Sequence, residues 1–177
     1  MKCYTRRAGG TDAAVALGTF DGVHLGHQTV LEVAQTIALC EGMTPCALSF
    51  LQHPLSVVGA GAPPLLTLPA EKALLAARSG LEEMALLPFT RDFAALPAED
   101  FARLLVEKYR ARHVVVGENY TFGAGGAGDV DLLDRLSKAL GFVLHVVPKV
   151  RVSGMDVSST AIRSLLAAGG VRPAGMW

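Results

Sequence analysis

No apolar run in this chain reaches the roughly 18 residues that a membrane-spanning helix needs. The opening MKCYTRRAGG carries charge without the apolar core of a secretory signal, so a cytoplasmic location is expected. Cysteine is scarce and poorly spaced for chemistry. Cys3, Cys40 and Cys46 are odd in number and form neither a CxxC nor a zinc-ligand pattern, which reads as reduced thiols rather than disulfides or metal ligands. Net charge is missing as well, since 16 basic residues balance 16 acidic ones. That balance argues against a long polyanion held by bulk charge, so neither nucleic acid nor a membrane is expected as a partner.

What is present is enough apolar mass for a core. With 177 residues, 51% of them apolar, the chain fits one domain spanning its whole length. Short runs rich in Val and Leu predict strands over 13–17, 45–50, 83–88, 113–117 and 142–147. Helical periodicity predicts helices over 26–41, 69–79, 97–110, 130–140 and 159–168. Pro69 and Pro97 fall where a first turn tolerates proline, and Gly42, Gly80, Gly141 and Gly169 follow the periodic stretches. Strand and helix alternate, and the strands are apolar without interruption, as in a sheet covered on both faces. The expected fold is α/β, a Rossmann-like doubly wound parallel sheet of about five strands with helices on both faces.

Two loops break the alternation. QHPLSVVGAGAPPLLTLP is too long for a simple crossover, and GENYTFGAGGAGDVD carries five glycines after a strand; such loops are often lids or binding segments. A third feature lies at the first strand-to-helix junction, where GTFDGVHLGH places His24 and His27 around Gly26. Ligands of open α/β sheets bind beyond the carboxyl ends of the strands, and a helix start there offers unpaired N–H groups to phosphate. Gly26 leaves room for phosphate oxygens to approach the backbone and both imidazoles. The segment matches neither the Walker pattern, for lack of lysine, nor GxGxxG. A structural role or metal binding stays open for the bare HxxH, although no third ligand is evident.

GTFDGVHLGH resembles the extended HxGH signature of the nucleotidyltransferase superfamily. In particular it is similar to the adenylyltransferase module of bacterial bifunctional riboflavin kinase/FMN adenylyltransferases, the FAD synthetases. Gly18, Phe20, Asp21, Gly22, His24, Gly26 and His27 all match that pattern. LSFLQHPLSVV resembles the family's strand and PHP turn, LLTLPAEK its LTxxxEK, VVVGENYTFGAGGAGD its VVGxNxxFG loop, and VSSTAIRSLLAAGGV its closing SSTxIR helix.

The resemblance implies transfer of AMP from ATP to FMN by direct in-line displacement, giving FAD and pyrophosphate with Mg²⁺. It places His24 and His27 on the α- and β-phosphates, Arg163 toward the β/γ end, and Ser159 and Thr160 as donors from the start of the last helix. Gly18, Phe20, Asp21, Gly22 and Gly26 then shape the nucleotide site. His53 and Pro54 belong to the substrate-holding turn, Asn119 bonds ribose or phosphate, and Phe122 stacks on the flavin. Structural readings stand beside these: Ser158 as a helix cap, Asp21 as organiser of the glycine turn and Asn119 as a turn residue, Phe20 and Phe122 as packing, and His113 and His145 as structural. No protein metal ligand is expected.

Three departures bear on FMN. Gln52 replaces the first proline of PHP, Val58 stands where some members carry an aromatic, and the stretch after Phe122 lacks a basic residue. Where the family continues into a riboflavin kinase module, this sequence stops; the expectation is an adenylyltransferase without riboflavin kinase activity, either one module of a larger protein or a stand-alone enzyme, fed by a kinase module or enzyme that supplies FMN. An enzyme acting on another small phosphorylated acceptor, and a flavin- or nucleotide-binding module with weak turnover, are the alternatives.

Overall fold

The structure, a computed structural model, describes residues 1–4, 10–59, 61–171 and 175. The chain enters with β1 (Lys2–Tyr4) and β2 (Ala13–Leu17), then runs through α1 (Leu25–Glu41), β3 (Thr44–Phe50), the single turn α2 (Leu55–Val58), α3 (Pro69–Arg78) and β4 (Glu83–Leu87). After the short α4 (Arg91–Ala94) come α5 (Ala98–Tyr109), β5 (Ala111–Gly117), α6 (Val130–Leu140) and β6 (Val143–Val147). A hairpin of β7 (Arg151–Val152) and β8 (Met155–Asp156) leads into α7 (Ser159–Ala167). No helix among the described residues is long and apolar enough to cross a membrane.

Six strands form one parallel sheet in the order β1-β4-β3-β2-β5-β6. The doubly wound α/β expectation therefore holds, with one strand more than the five predicted. The extra strand, β1, is Lys-Cys-Tyr on the edge beside β4, too short to carry an apolar pattern. β2 is buried at every position, and its three alanines let α1 lie close to the sheet. On the α1 face, Ala16, Ala47, Met84 and Val115 meet Val30, Leu31, Ala34, Ala73 and Ala76. On the other face Val15, Leu48, Val114 and Val116 meet Phe101, Leu105 and Leu133 from α5 and α6.

Winding sets the site. From β2 the chain moves outward through β3 to β4, then returns to place β5 on the other side of β2. The crossovers thus diverge above the carboxyl ends of β2 and β5, the point where such sheets leave a crevice. Three segments meet there: the loop from Gly18 to His24, the loop after Gly117, and the start of α7.

Candidate active site

A cleft of about 970 Å³ opens above these strand ends. Of the residues singled out in the sequence, Gly18, Phe20, His24, Gly26, His27, His53, Pro54, Asn119, Phe122, Ser159, Thr160 and Arg163 line it. Asp21 and Gly22 do not; they lie behind its wall.

The histidine pair is built by the helix start. His24 is the N-cap of α1, and its Nδ1 accepts the His27 backbone N–H at 3.3 Å. An acceptor Nδ1 puts the proton of the neutral ring on Nε2. The two rings stack with centroids 3.7 Å apart, and His27 meets the edge of Phe20 at 5.3 Å. A Cβ on Gly26 would sit 3.3 Å from the His24 ring, so glycine keeps the helix start open. Burial pushes His24 down to about 4, opposed by the Asp21 charge. His27 lies well below the ordinary range, first through burial and then through His24 and Lys72. Two stacked imidazoliums would repel, so both rings are neutral donors at pH 7. Nδ1 of His27 is buried with no partner among the described residues.

His53 repeats the pattern on the opposite loop. Its Nδ1 accepts from the Leu55 N–H at 3.2 Å, and burial followed by the Arg163 charge holds it below its ordinary value. Gln52, which stands where the family has proline, donates from Nε2 to the Phe89 carbonyl at 2.9 Å. The turn lost a ring constraint and gained a tie to the neighbouring loop.

Asp21 is 2% exposed, and its carboxylate faces protein. Oδ1 accepts from the N–H groups of Leu66 and Thr67 at 2.9 and 3.0 Å, while Oδ2 accepts from Arg163. Gly22 donates to Thr67 Oγ1 at 3.0 Å, and a Cβ there would come within 2.8 Å of Leu66. These two residues, placed in the nucleotide site by the resemblance, hold Leu66 and Thr67 from behind. The Asp21 side chain does not organise the turn through local bonds: the N–H groups it accepts from lie 45 and 46 residues away.

Arg163 lines the cleft but spends two groups on protein. Nε donates to the Pro64 carbonyl at 2.8 Å, and the Nη that meets Asp21 completes an ion pair that is largely buried. Ser159 Oγ donates to the Asp21 carbonyl at 2.8 Å, and Ser158 caps α7 by accepting from the Ala161 N–H. The start of α7 is thereby pinned to the glycine loop, with Thr160 exposed beside it.

The opposite wall is aromatic, and its extent was missed in the sequence. Besides Phe20 beside the histidines, Phe50, Phe89, Phe93, Phe101 and Phe122 line the cleft together with Tyr120, so that six of the seven phenylalanines face it. Neighbouring rings contact edge-on from Phe50 to Phe101, and Tyr120 stacks over Phe122 at 6.0 Å. Phe122 is itself 5% exposed and bridged to Gly128 through paired backbone bonds, so it packs and lines the cleft at once. Asn119 is exposed at the rim. Lys149 is there too, 3.6 Å from Glu118 and 3.8 Å from Asp156, supplying a cation that the glycine-rich loop lacks. His113 and His145 lie elsewhere in the sheet, sharing a hydrogen bond at 2.9 Å while His113 meets Glu41, in agreement with a structural role.

The family model for FAD synthetase matches residues 7–161. The chain belongs to the FAD synthetase family. It is 34% identical over 155 residues to the bifunctional riboflavin kinase/FMN adenylyltransferase of Escherichia coli (strain K12), a match covering 86% of this chain and 50% of that one. An FAD synthetase of Listeria monocytogenes is 34% identical over 159 residues, covering 89% and 64%. Among solved structures, a macrolide-efflux protein from Streptococcus pneumoniae superposes with a TM-score of 0.85 at 28% identity, over 98% of this chain and 58% of that one. The chain spans about half the length of the bifunctional relatives it matches.

Proposed function

We propose that this FAD synthetase family member transfers AMP from ATP to the phosphate of FMN, giving FAD and pyrophosphate. The observation that carries the reading is one cleft with two unlike walls: a neutral histidine pair on a helix start, facing a continuous aromatic surface. The first suits a phosphate chain and the second a flat conjugated ring.

The chemistry asks little of a base. A phosphomonoester has its second pKa near about 6, so the FMN phosphate arrives largely as the dianion. What the protein must supply is in-line placement of two anions and stabilisation of charge growing on the α-phosphate and on the departing pyrophosphate. His24 Nε2–H and His27 donate to the α- and β-phosphates beside the free N–H groups of α1. Thr160 and the start of α7, pinned by the Ser159 hydroxyl bonded to Asp21, hold the far end of the triphosphate, and the remaining N–H groups of Arg163 face it. Phe122 and Tyr120 flank the isoalloxazine, and Asn119 meets ribose or phosphate at the rim.

Mg²⁺ is part of this reading as the ion that travels with ATP. Among the described residues no group of three or more His, Cys, Asp and Glu gathers into a metal site, and the Asp21 carboxylate is already bonded within the protein. Mg²⁺ is commonly held by substrate phosphates and water with at most one or two carboxylates, and no step above runs through a protein-held metal. FMN comes from a riboflavin kinase, the second activity named for the bifunctional relatives.

Incubation with Mg-ATP and FMN, followed by chromatography, should yield FAD and pyrophosphate in equal amounts. His27→Ala should fold and lose about 10²- to 10³-fold in turnover, the usual cost of removing a preorganised donor. Product from pantetheine phosphate or glycerol phosphate but none from FMN would replace the acceptor, and binding without turnover would reduce the chain to a binding module.

A further inference from the structure

Lys72 is a buried cation to which the chemistry above gives no task. It reaches from α3 toward the ends of β2 and β3 and is 7% exposed. Its Nζ donates to Ser49 Oγ and to the Phe50 carbonyl, both at 3.2 Å. Ser49 Oγ in turn donates to the Thr19 carbonyl at 2.9 Å. Thr19 opens the loop that carries His24 and His27, and Phe50 opens the turn that carries His53. One side chain thus ties together the roots of both phosphate-facing loops.

Burying an ammonium is costly unless it is paired, and this one has no ion-pair partner among the described residues. Asp21 is the carboxylate whose field reaches it, but that carboxylate is already bonded to Leu66, Thr67 and Arg163. Two cations therefore share one anion behind the wall of a cleft whose histidines are neutral. The charge left over is positive, and it is complementary to a polyphosphate.

We propose that Lys72 is a positioning residue for the nucleotide phosphates: its charged form locks the two loops at their binding separation and sets a positive potential behind the histidines. The assignment rests on the nucleotide reading of the cleft. It also predicts a pH dependence. Burial pushes Lys72 down to about 8, with Asp21 pulling partly back. Of the other groups in its field, His27 on α1 and His53 in the turn are held below their ordinary values and stay neutral there.

Calorimetric titration with ATP from about pH 7 to about pH 9.5 tests this on the whole chain. Parent affinity should fall above about pH 8, by less than about tenfold per pH unit, and level off toward that of an uncharged side chain. Lys72→Arg, which keeps its charge throughout, should bind within several-fold of the parent at neutral pH and show a flat profile. Lys72→Met should bind roughly tenfold or more weakly, again without pH dependence. A flat parent profile, or a methionine variant that binds like the parent, overturns the proposal; if that variant does not fold, the parent and arginine profiles decide. Because binding is read without turnover, a chain with the expected profile that makes no FAD sinks adenylyl transfer alone, and an FAD-forming chain with a flat profile sinks Lys72 alone.

Discussion

At the scale of single residues, Arg163 lines the cleft while holding two distant partners within the protein. Helical spacing puts it about one turn beyond Thr160, and that spacing is what suggested a phosphate role in the sequence. Its partners were not legible, because Pro64 and Asp21 lie 99 and 142 residues away and no local pattern links them. The guanidinium fork serves a carbonyl and a carboxylate at once, a geometry that a lysine point charge does not reproduce. Arg163→Lys should therefore lower both the melting temperature and kcat/KM for ATP, the latter about ten- to a hundredfold, as expected for loss of a charge-assisted bond worth roughly 1.5 to 3 kcal/mol. Asp21→Asn should also destabilise, and the double variant should lose less than the sum of the two singles. Strict additivity in thermal denaturation would show that the pair is not a coupled unit.

At the scale of elements, the strands and helices were readable because period and punctuation agreed. The pattern 13–17 is β2 to the residue, and α6 coincides with the run from Val130 to Leu140. The elements that escaped were the short ones without a period: β1, the β7–β8 hairpin and the single turns α2 and α4. The hairpin did carry a signal, since its Ser153-Gly154 turn has φ of 52° and 80°, and a Ser-Gly pair marks such turns. The aromatic wall escaped for another reason. Its rings come from the end of β3, the loop after β4, α5 and the glycine-rich loop, so only the folded chain brings them together.

Within that loop Gly123 carries the strictest local demand. Its φ is +74°, and a Cβ would lie 2.9 Å from the backbone of Ala98 at the start of α5. Gly141 has nearly the same φ, +75°, with nothing within 4 Å. Gly141→Ala should thus cost only the conformational penalty, about 1 kcal/mol, and leave catalysis intact. Gly123→Ala must also push the loop off α5, moving Phe122 and Tyr120. The expected result is a raised KM for FMN with ATP affinity little changed, measured by steady-state kinetics in each substrate. Equal kinetics for the two variants would detach this loop from the flavin.

At the scale of the whole molecule, the buried histidines tie the fold to pH. His24, His27, His53 and His145 are all held below the ordinary histidine value, each chiefly by burial. Above pH 6.5 the native and unfolded chains both keep these rings neutral. As pH falls below 6.5, the unfolded chain takes up protons that the native chain refuses, so native stability declines; for His24 the decline continues until its folded value near 4 is reached. The fall from 6.5 to about 4 at His24 corresponds to at most about 3 kcal/mol, a large share of a domain's typical 5–15 kcal/mol. A bound triphosphate reverses the preference, because an anion beside His24 and His27 favours their charged forms. The melting temperature of the free chain should accordingly drop between about pH 6.5 and about pH 4.5. Saturating ATP should flatten that drop, and ATP binding in the same window should take up protons, seen as a dependence of calorimetric heat on buffer ionisation. His24→Gln removes one titrating ring while keeping a side chain able to cap α1, so its pH–stability curve should be shallower than the parent's. Parallel curves for parent and variant would mean that His24 takes up its proton equally in both states, and that the phosphate site is not where the acid sensitivity of this fold resides.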